Sequence, residues 1–247
     1  MINILLWPLS LLYRVGVYIR HKLFDWKILR SREFDIPVVC VGNITVGGTG
    51  KTPMAEYLIS CLMPYYNVSL VSLGYRRRTK GFLEVQTSTP FRDAGDEPKQ
   101  IKLKFPHVVV AVCENRAEGI DRVRELHPEV NLIILDDGFQ HRQVEAWVNI
   151  VLMDYGRPMY HDHMLPMGRL RDLPSQMHRA NFVVVTKCPT EMNALDMRIV
   201  RKSLELLPYQ GLFFSQMRNG MPAPLLSDIA KGGIATGASV IVMAGIG

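Results

Sequence analysis

The chain has 247 residues, 21% charged and 48% apolar, with a formal net charge of +6. That balance describes a folded globular protein rather than a disordered chain, and leaves one large or two modest domains. Residues 1–33 hold six basic against two acidic side chains, a net of +4, so the other 214 residues carry only +2, which speaks against a nucleic-acid protein with a basic body.

Met1 to Tyr13 carries no charged side chain, contains Pro8 as an interruption and ends at Arg14. A bilayer-spanning helix takes about 20 consecutive apolar residues, so this run is too short. A signal peptide puts its positive charges first, whereas here they follow. An interfacial helix fits better: Leu5, Leu6, Leu9, Leu12 and Tyr13 share one face, and Trp7 and Tyr18 suit a headgroup region. The alternative is a helix that buries this face on the protein's own core.

An apolar strand, Val38–Gly42, then enters the loop Asn43-Ile44-Thr45-Val46-Gly47-Gly48-Thr49-Gly50 and a helix over Lys51–Met63. Glycines before a helix start let backbone amides close around a polyphosphate, with the helix dipole behind them. Lys51 is placed to reach the β- and γ-phosphates and Thr52 to offer a hydroxyl to Mg²⁺. The strict pattern wants Gly at position 45, where this chain has Thr45.

Further strands are expected at Val68–Leu73, Val108–Val112, Leu132–Asp136 and Asn149–Asp154, with helices at Glu97–Lys104 and Arg116–Leu126. Strands alternating with helices predict an α/β fold with a mostly parallel sheet. Residues 155–175 read as a connection. A second set follows, with strands near Phe182–Thr186, Gly211–Gln216 and Ser239–Ala244 and a helix near Leu195–Leu207. The expected organisation is an amphipathic membrane-associating segment (1–35), a P-loop domain (36–154), and a connecting segment with a smaller, incomplete second α/β domain (155–247). The dispersed cysteines Cys40, Cys61, Cys113 and Cys188 lack metal-ligand spacing and read as reduced, buried thiols.

Asp136-Asp137 at a strand end suits Mg²⁺ in a P-loop fold and is followed by Gly138-Phe139-Gln140-His141. Gly74-Tyr75-Arg76-Arg77-Arg78 follows another strand, where ligands sit in such sheets; arginines there suit an anionic substrate and Tyr75 a sugar ring. A solvated basic loop is the plainer reading of Arg77 and Arg78. In Gly95-Asp96-Glu97-Pro98, Asp96 is either a helix N-cap or a general base. Arg116 is a candidate phosphate contact. His161 and His163 around Asp162 make only a weak metal motif.

Together, Gly42 through Pro53, Gly74-Tyr75, Gly95-Asp96-Glu97-Pro98, Asp136 through His141 and Leu165-Pro166-Met167-Gly168-Arg169-Leu170-Arg171-Asp172 resemble the tetraacyldisaccharide 4′-kinase family, the lipid A 4′-kinases of Gram-negative bacteria. The resemblance runs through the whole chain to Met243-Ala244-Gly245-Ile246-Gly247, and the family's own loop carries the Thr45 pattern. It implies transfer of the ATP γ-phosphate to the 4′-hydroxyl of a tetraacylated glucosamine disaccharide 1-phosphate, at the cytoplasmic face of the bacterial inner membrane. On this resemblance Asp96, Lys51 and Asp137 are catalytic, with Asp96 the general base. Val46, Gly47, Gly48, Thr49, Gly50, Lys51, Thr52 and Pro53 hold ATP. Thr52, Asp136 and Asp137 hold Mg²⁺, and Tyr75, Arg76, Arg116, Gln140, His141 and Arg171 face the acceptor. In the family an Asp-His motif follows the Ala-Gly-Ile-Gly segment, whereas this sequence stops at Gly247, so nucleotide binding without full phosphoryl transfer is expected of it. Val46 in place of a lysine argues for a monomer. The rival readings are a membrane-bound P-loop ATPase that phosphorylates no lipid, and a soluble small-molecule kinase.

Overall fold

The computed structural model describes residues 2–218. Residues up to Gln216 form one compact unit. Its centre is an eight-stranded sheet in the order β3-β4-β2-β5-β1-β6-β7-β8. The strands are β1 (Val38–Gly42), β2 (Val68–Ser72), β3 (Leu83–Glu84), β4 (Val109–Val112), β5 (Leu132–Asp136), β6 (Val148–Asp154), β7 (Phe182–Thr186) and β8 (Gly211–Phe214). All neighbours pair in parallel except the two-residue β3, which runs antiparallel to β4.

Strands buried on both faces read as unbroken apolar runs, and β5 (Leu-Ile-Ile-Leu-Asp) is buried at every position. Alternate residues feed two cores. Val38, Cys40, Ile133 and Leu135 join Ile120 and Val123 of α5 (Arg116–Leu126) and Val200 of α6 (Ala194–Leu204). Val41, Leu132 and Ile134 join Ala55 and Ile59 of α2 (Lys51–Leu62) and Ile101 of α4 (Asp96–Lys104). Between β3 and α4 lies α3, a single turn over Phe91–Ala94, which with β3 has no counterpart among the expected elements.

The boundary expected at residue 154 falls inside this sheet. Residues 155–173 are a connection with one 3₁₀ turn at Met159–His161, and a second 3₁₀ stretch, Pro174–Arg179, begins at the end of the expected segment. After it the chain returns, and β7 pairs with β6 from Ile150↔Phe182 to Asp154↔Thr186. Backbone groups at the β6 edge need partners, and β7 and β8 supply them by extending the same sheet. The strand expected at 239–244 and the segment Met243–Gly247 lie outside the described residues.

The first element, α1 (Ile2–Asp25), is a single helix that runs through Pro8 without ending there. Its inward face mixes polar and apolar side chains: Ser10 and His21 are buried together with Phe24, and Val17 packs on the core. Ser10 Oγ donates to Met164 O, Tyr13 Oη to Arg171 O and Arg20 to Gln140 O. The outward face shows Leu9, Leu12, Val15, Tyr18 and Ile19, with Leu12 68% exposed. Of the expected apolar face Leu9 and Leu12 point outward, whereas Leu6 is half-buried and Tyr13 turns inward to Arg171. No helix among the described residues is long and apolar enough to cross a membrane.

Candidate active site

Because β1 ends at Gly42 and α2 begins at Lys51, residues 43–50 form a loop at the carboxyl end of the central strand. In sheets of this kind ligands bind at that end. Gly50 caps α2 in the left-handed region (φ 86°) with no side chain bonded to the first amides, which stay available to an anion. Asn43 Nδ2 donates to Thr49 Oγ1 at 2.8 Å from within the core. On the other side Thr186 Oγ1 donates to Thr49 O at 2.9 Å, and Lys187 Nζ to Gly48 O at 2.5 Å. Thr45 makes a β-bridge with Leu170, and Val46 N donates to Arg169 O at 2.8 Å. A position paired in this way has no need of glycine.

The carboxyl end of β5 carries the acidic pair beside this loop. Lys51 Nζ lies 3.8 Å from Asp137 Oδ1, and Arg171 bonds Asp137 through both terminal nitrogens while also donating to Asn43 Oδ1. Burial alone raises the Asp137 carboxyl pKa, but Arg171, Lys51 and Arg116 outweigh it and hold it below the usual carboxylate range. Asp136 stands in a different field. Burial first, then the negative charges of Glu97 and Asp137, push its pKa up to about 7. Its Oδ2 accepts a long bond from Ser72 Oγ (3.4 Å), and its buried Oδ1 has no hydrogen-bond partner in the protein. An orphaned, desolvated carboxylate oxygen next to a phosphate loop fits a hard cation ligand.

Two motifs distant in sequence meet at the edge of this site. Gly74 (φ 68°) and Gly95 (φ 88°) are in backbone contact: a Cβ built on Gly95 lies 3.0 Å from Gly74 Cα, and one on Gly74 lies 2.6 Å from Ala94 O. Only glycine at both positions allows that approach. It brings Tyr75 and Arg76, stacked on each other at 5.2 Å and exposed, beside the start of α4. Asp96 opens α4, and the cap position is Gly95 with no side-chain bond, so Asp96 is not an N-cap. Its carboxylate is exposed. Arg77 is not a solvated arginine: its side chain is 3% exposed and bonds Glu114 at 2.8 Å and Gly81 O, closing the loop.

The remaining candidates divide. Gln140 Nε2 donates to Asn43 O at 2.8 Å, behind the phosphate loop. Arg116 is 1% exposed, anchored to Cys113 O at 2.6 Å, and faces the two carboxylates rather than solvent. Arg171 sits on Asp137 and Asn43. His141, with Phe24, Arg30, Arg142 and Arg179, lines a cavity of about 850 Å³ beneath the end of α1. Burial, then Arg116, pulls the His141 pKa down to about 4, so the imidazole is neutral at neutral pH. Asp162 Oδ1 accepts from the His163 and Arg169 amides and closes a turn. Among the described residues, no group of three or more His, Cys, Asp or Glu side chains is placed to hold a metal ion. All four cysteines are free; Cys61, expected to be buried, is exposed on α2.

Asn43, Thr186 and Lys187 were not picked out by the sequence. Their one signal is position, since each directly follows or ends a strand at the sheet's carboxyl end.

The sequence model of the tetraacyldisaccharide-1-P 4′-kinase family matches residues 2–247. Among curated relatives, a tetraacyldisaccharide 4′-kinase of Porphyromonas gingivalis is 50% identical over 232 residues, covering 92% of this chain and 64% of the relative. One of Phocaeicola vulgatus is 47% identical over 228 residues, covering 92% and 62%. The chain thus spans less than two thirds of the length of these relatives. Among solved structures, LpxK of Aquifex aeolicus in complex with ATP superimposes with a TM-score of 0.75 at 32% identity, covering 87% of this chain and 64% of that one.

Proposed function

The chain belongs to the tetraacyldisaccharide-1-P 4′-kinase family, and on that premise we propose that it transfers the γ-phosphate of ATP to the 4′-hydroxyl of a tetraacyl glucosamine disaccharide 1-phosphate, in lipid A synthesis. What supports the reading most is the convergence at one sheet end of the 43–52 loop and the Asp136–Asp137 pair, with the Gly74/Gly95 contact setting Tyr75 against the start of α4, the helix that Asp96 opens.

In this reading the amides of Gly47, Gly48, Gly50, Lys51 and Thr52 cradle the polyphosphate, the Thr49 amide being turned to Gly47 O, and Lys51 neutralises charge on the group in transfer. Thr52 and Asp136, with Asp137, would hold Mg²⁺, which when bound supplies charge neutralisation on the β- and γ-phosphates. Asp96, exposed at the start of α4, takes the proton of the attacking hydroxyl as its oxygen bonds the γ-phosphorus, while the bond from that phosphorus to the β,γ-bridging oxygen breaks and ADP leaves. Tyr75 and Arg76 would face the acceptor, whereas His141 lines the cavity beneath the end of α1. Asp96→Asn is expected to lower label transfer from γ-labelled ATP to the acceptor lipid by about 10²- to 10⁴-fold while nucleotide affinity stays close to that of the unaltered protein. Steady ATP hydrolysis with no labelled lipid would instead favour a membrane-bound ATPase.

The outward stripe of α1 supports attachment to the cytoplasmic face of the inner membrane. Leu12→Glu with Ile19→Glu is expected to weaken co-sedimentation with anionic vesicles by about 10²-fold, since each exposed side chain would otherwise bury about 1.5–3 kcal/mol of apolar surface. Undiminished sedimentation would end the idea that this stripe meets the lipid.

A further inference from the structure

The inward contacts of α1 fall on segments that build the site. Ser10 and Tyr13 bond the backbone of residues 164 and 171, Arg20 that of residue 140, and His21 the side chain of Asp172. The last is the most enclosed: His21 is 2% exposed, Asp172 1%, and Nε2 lies 2.6 Å from Oδ1. Arg142 NH1 approaches His21 Nδ1 at 3.1 Å. A guanidinium only donates, so Nδ1 accepts and Nε2 carries the proton given to Asp172. From Asp172 the bonds continue inward. Gln140 Nε2 is shared between Asp172 Oδ2 (3.4 Å) and Asn43 O (2.8 Å), and Asn43 Nδ2 holds Thr49 Oγ1 at 2.8 Å.

We propose that His21 is a positioning residue for the phosphate loop, acting from α1 through Asp172, Gln140 and Asn43 on Thr49. A buried carboxylate needs its hydrogen-bond donors, and one that loses a donor recruits another by shifting its neighbours. Without His21, Asp172 keeps the Leu173 amide at 2.8 Å and must draw on Gln140 or on Arg179, which stands 3.8 Å away. Either movement releases the Asn43 carbonyl or reorders the groups under the loop. Helix α1 is then part of the nucleotide site and not only a surface for lipid. The inference rests on the proposed reading only in taking ATP as the ligand of the loop.

The test is equilibrium binding of a fluorescent ATP analogue with Mg²⁺ to the whole chain, without lipid, alongside near-ultraviolet circular dichroism as a check on folding. His21→Leu keeps bulk and removes the donor; it is expected to weaken binding about tenfold. His21→Gln carries an amide N–H to about the Nε2 position and is expected to bind within about twofold of the unaltered protein. Asp172→Asn is expected to weaken binding as well, and the loss in the double variant with His21→Leu to fall short of the product of the two. Equal binding by His21→Leu, a loss in His21→Gln as large as in His21→Leu, or independent effects in the double variant would overturn the proposal. If His21→Leu does not fold, His21→Gln against Asp172→Asn decides: unchanged binding in Asp172→Asn overturns it. An unaltered protein that binds no analogue would defeat the reading of the loop, a different outcome.

Discussion

Lys51→Ala is expected to reduce phosphoryl transfer by about 10³-fold and to weaken ATP binding, with little loss of fold. Removing one preorganised donor from a site of developing charge costs about 10²–10³ in rate, and Lys51 supplies a full positive charge as well. Its side chain is 15% exposed, at the first residue of α2, so the ammonium is held partly out of water with Asp137 as its carboxylate neighbour. Electrostatic interactions are stronger there than at an open surface. The fold should tolerate the loss because Asp137 keeps its two bonds from Arg171. Label transfer from γ-labelled ATP, read with the melting temperature, checks this; a loss under about tenfold with intact folding would remove Lys51 from the catalytic groups.

Asp136→Asn is expected to abolish cation-dependent transfer, by about 10³-fold or more, and yet to stabilise the metal-free protein at alkaline pH. The Asp136 carboxyl has its pKa raised from 3.8 to about 7. A raised folded-state value means that the native state holds a proton that the unfolded chain has released. Between about pH 4 and pH 7 the metal-free protein therefore loses stability from this group as pH rises. Above pH 7 the native state carries a buried anion whose Oδ1 has no partner. Asparagine carries no such charge, so the difference in melting temperature between the variant and the unaltered protein should grow in the variant's favour from pH 5 to pH 8. Mg²⁺ should close that gap in the unaltered protein alone. Asp154 and Asp172 have lowered values and act in the opposite sense, but they are common to both proteins and cancel in the difference, while Asp137, relieved of its charged neighbour, adds to the variant's gain above pH 7. A variant less stable at pH 8 than at pH 5, relative to the unaltered chain, would contradict the environment assigned to Asp136.

Helix α5 and strands β1, β5 and β7 are found where the sequence places them, and α2, α4 and β6 are within a residue of it. Those elements are written locally, in their runs of apolar residues and in the Gly and Asp residues that close β1, β5 and β6. The phosphate loop is equally local, since its glycines, Lys51 and Thr52 are consecutive and need no distant partner to form their pattern. The helix α6 begins one residue earlier than expected because Asn193 and Asp196 form a capping box, a signal present in the sequence, and it ends three residues earlier, at Leu204, where Glu205 turns left-handed.

Other features depend on pairings that no local pattern carries. Apolar strands are alike enough that spacing does not say which becomes whose neighbour; only packing inserts β5 between β1 and β2 and adds β7 and β8 to the same sheet. Arginines look alike in a sequence, and the fold decides that Arg76 stays in water while Arg77 and Arg116 leave it. The amphipathic stripe of α1 was legible, but its direction was not, because a helix buries whichever face finds partners and here Ser10 and His21 find them. The sequence by itself determined the loop, the acidic strand end and the elements that carry them, since each is fixed by residues close along the chain. The tertiary structure alone decided the contact of Gly74 with Gly95, the burial of Asp136 and the reach of His21 to Asp172, because desolvation and close approach are properties of what surrounds a residue.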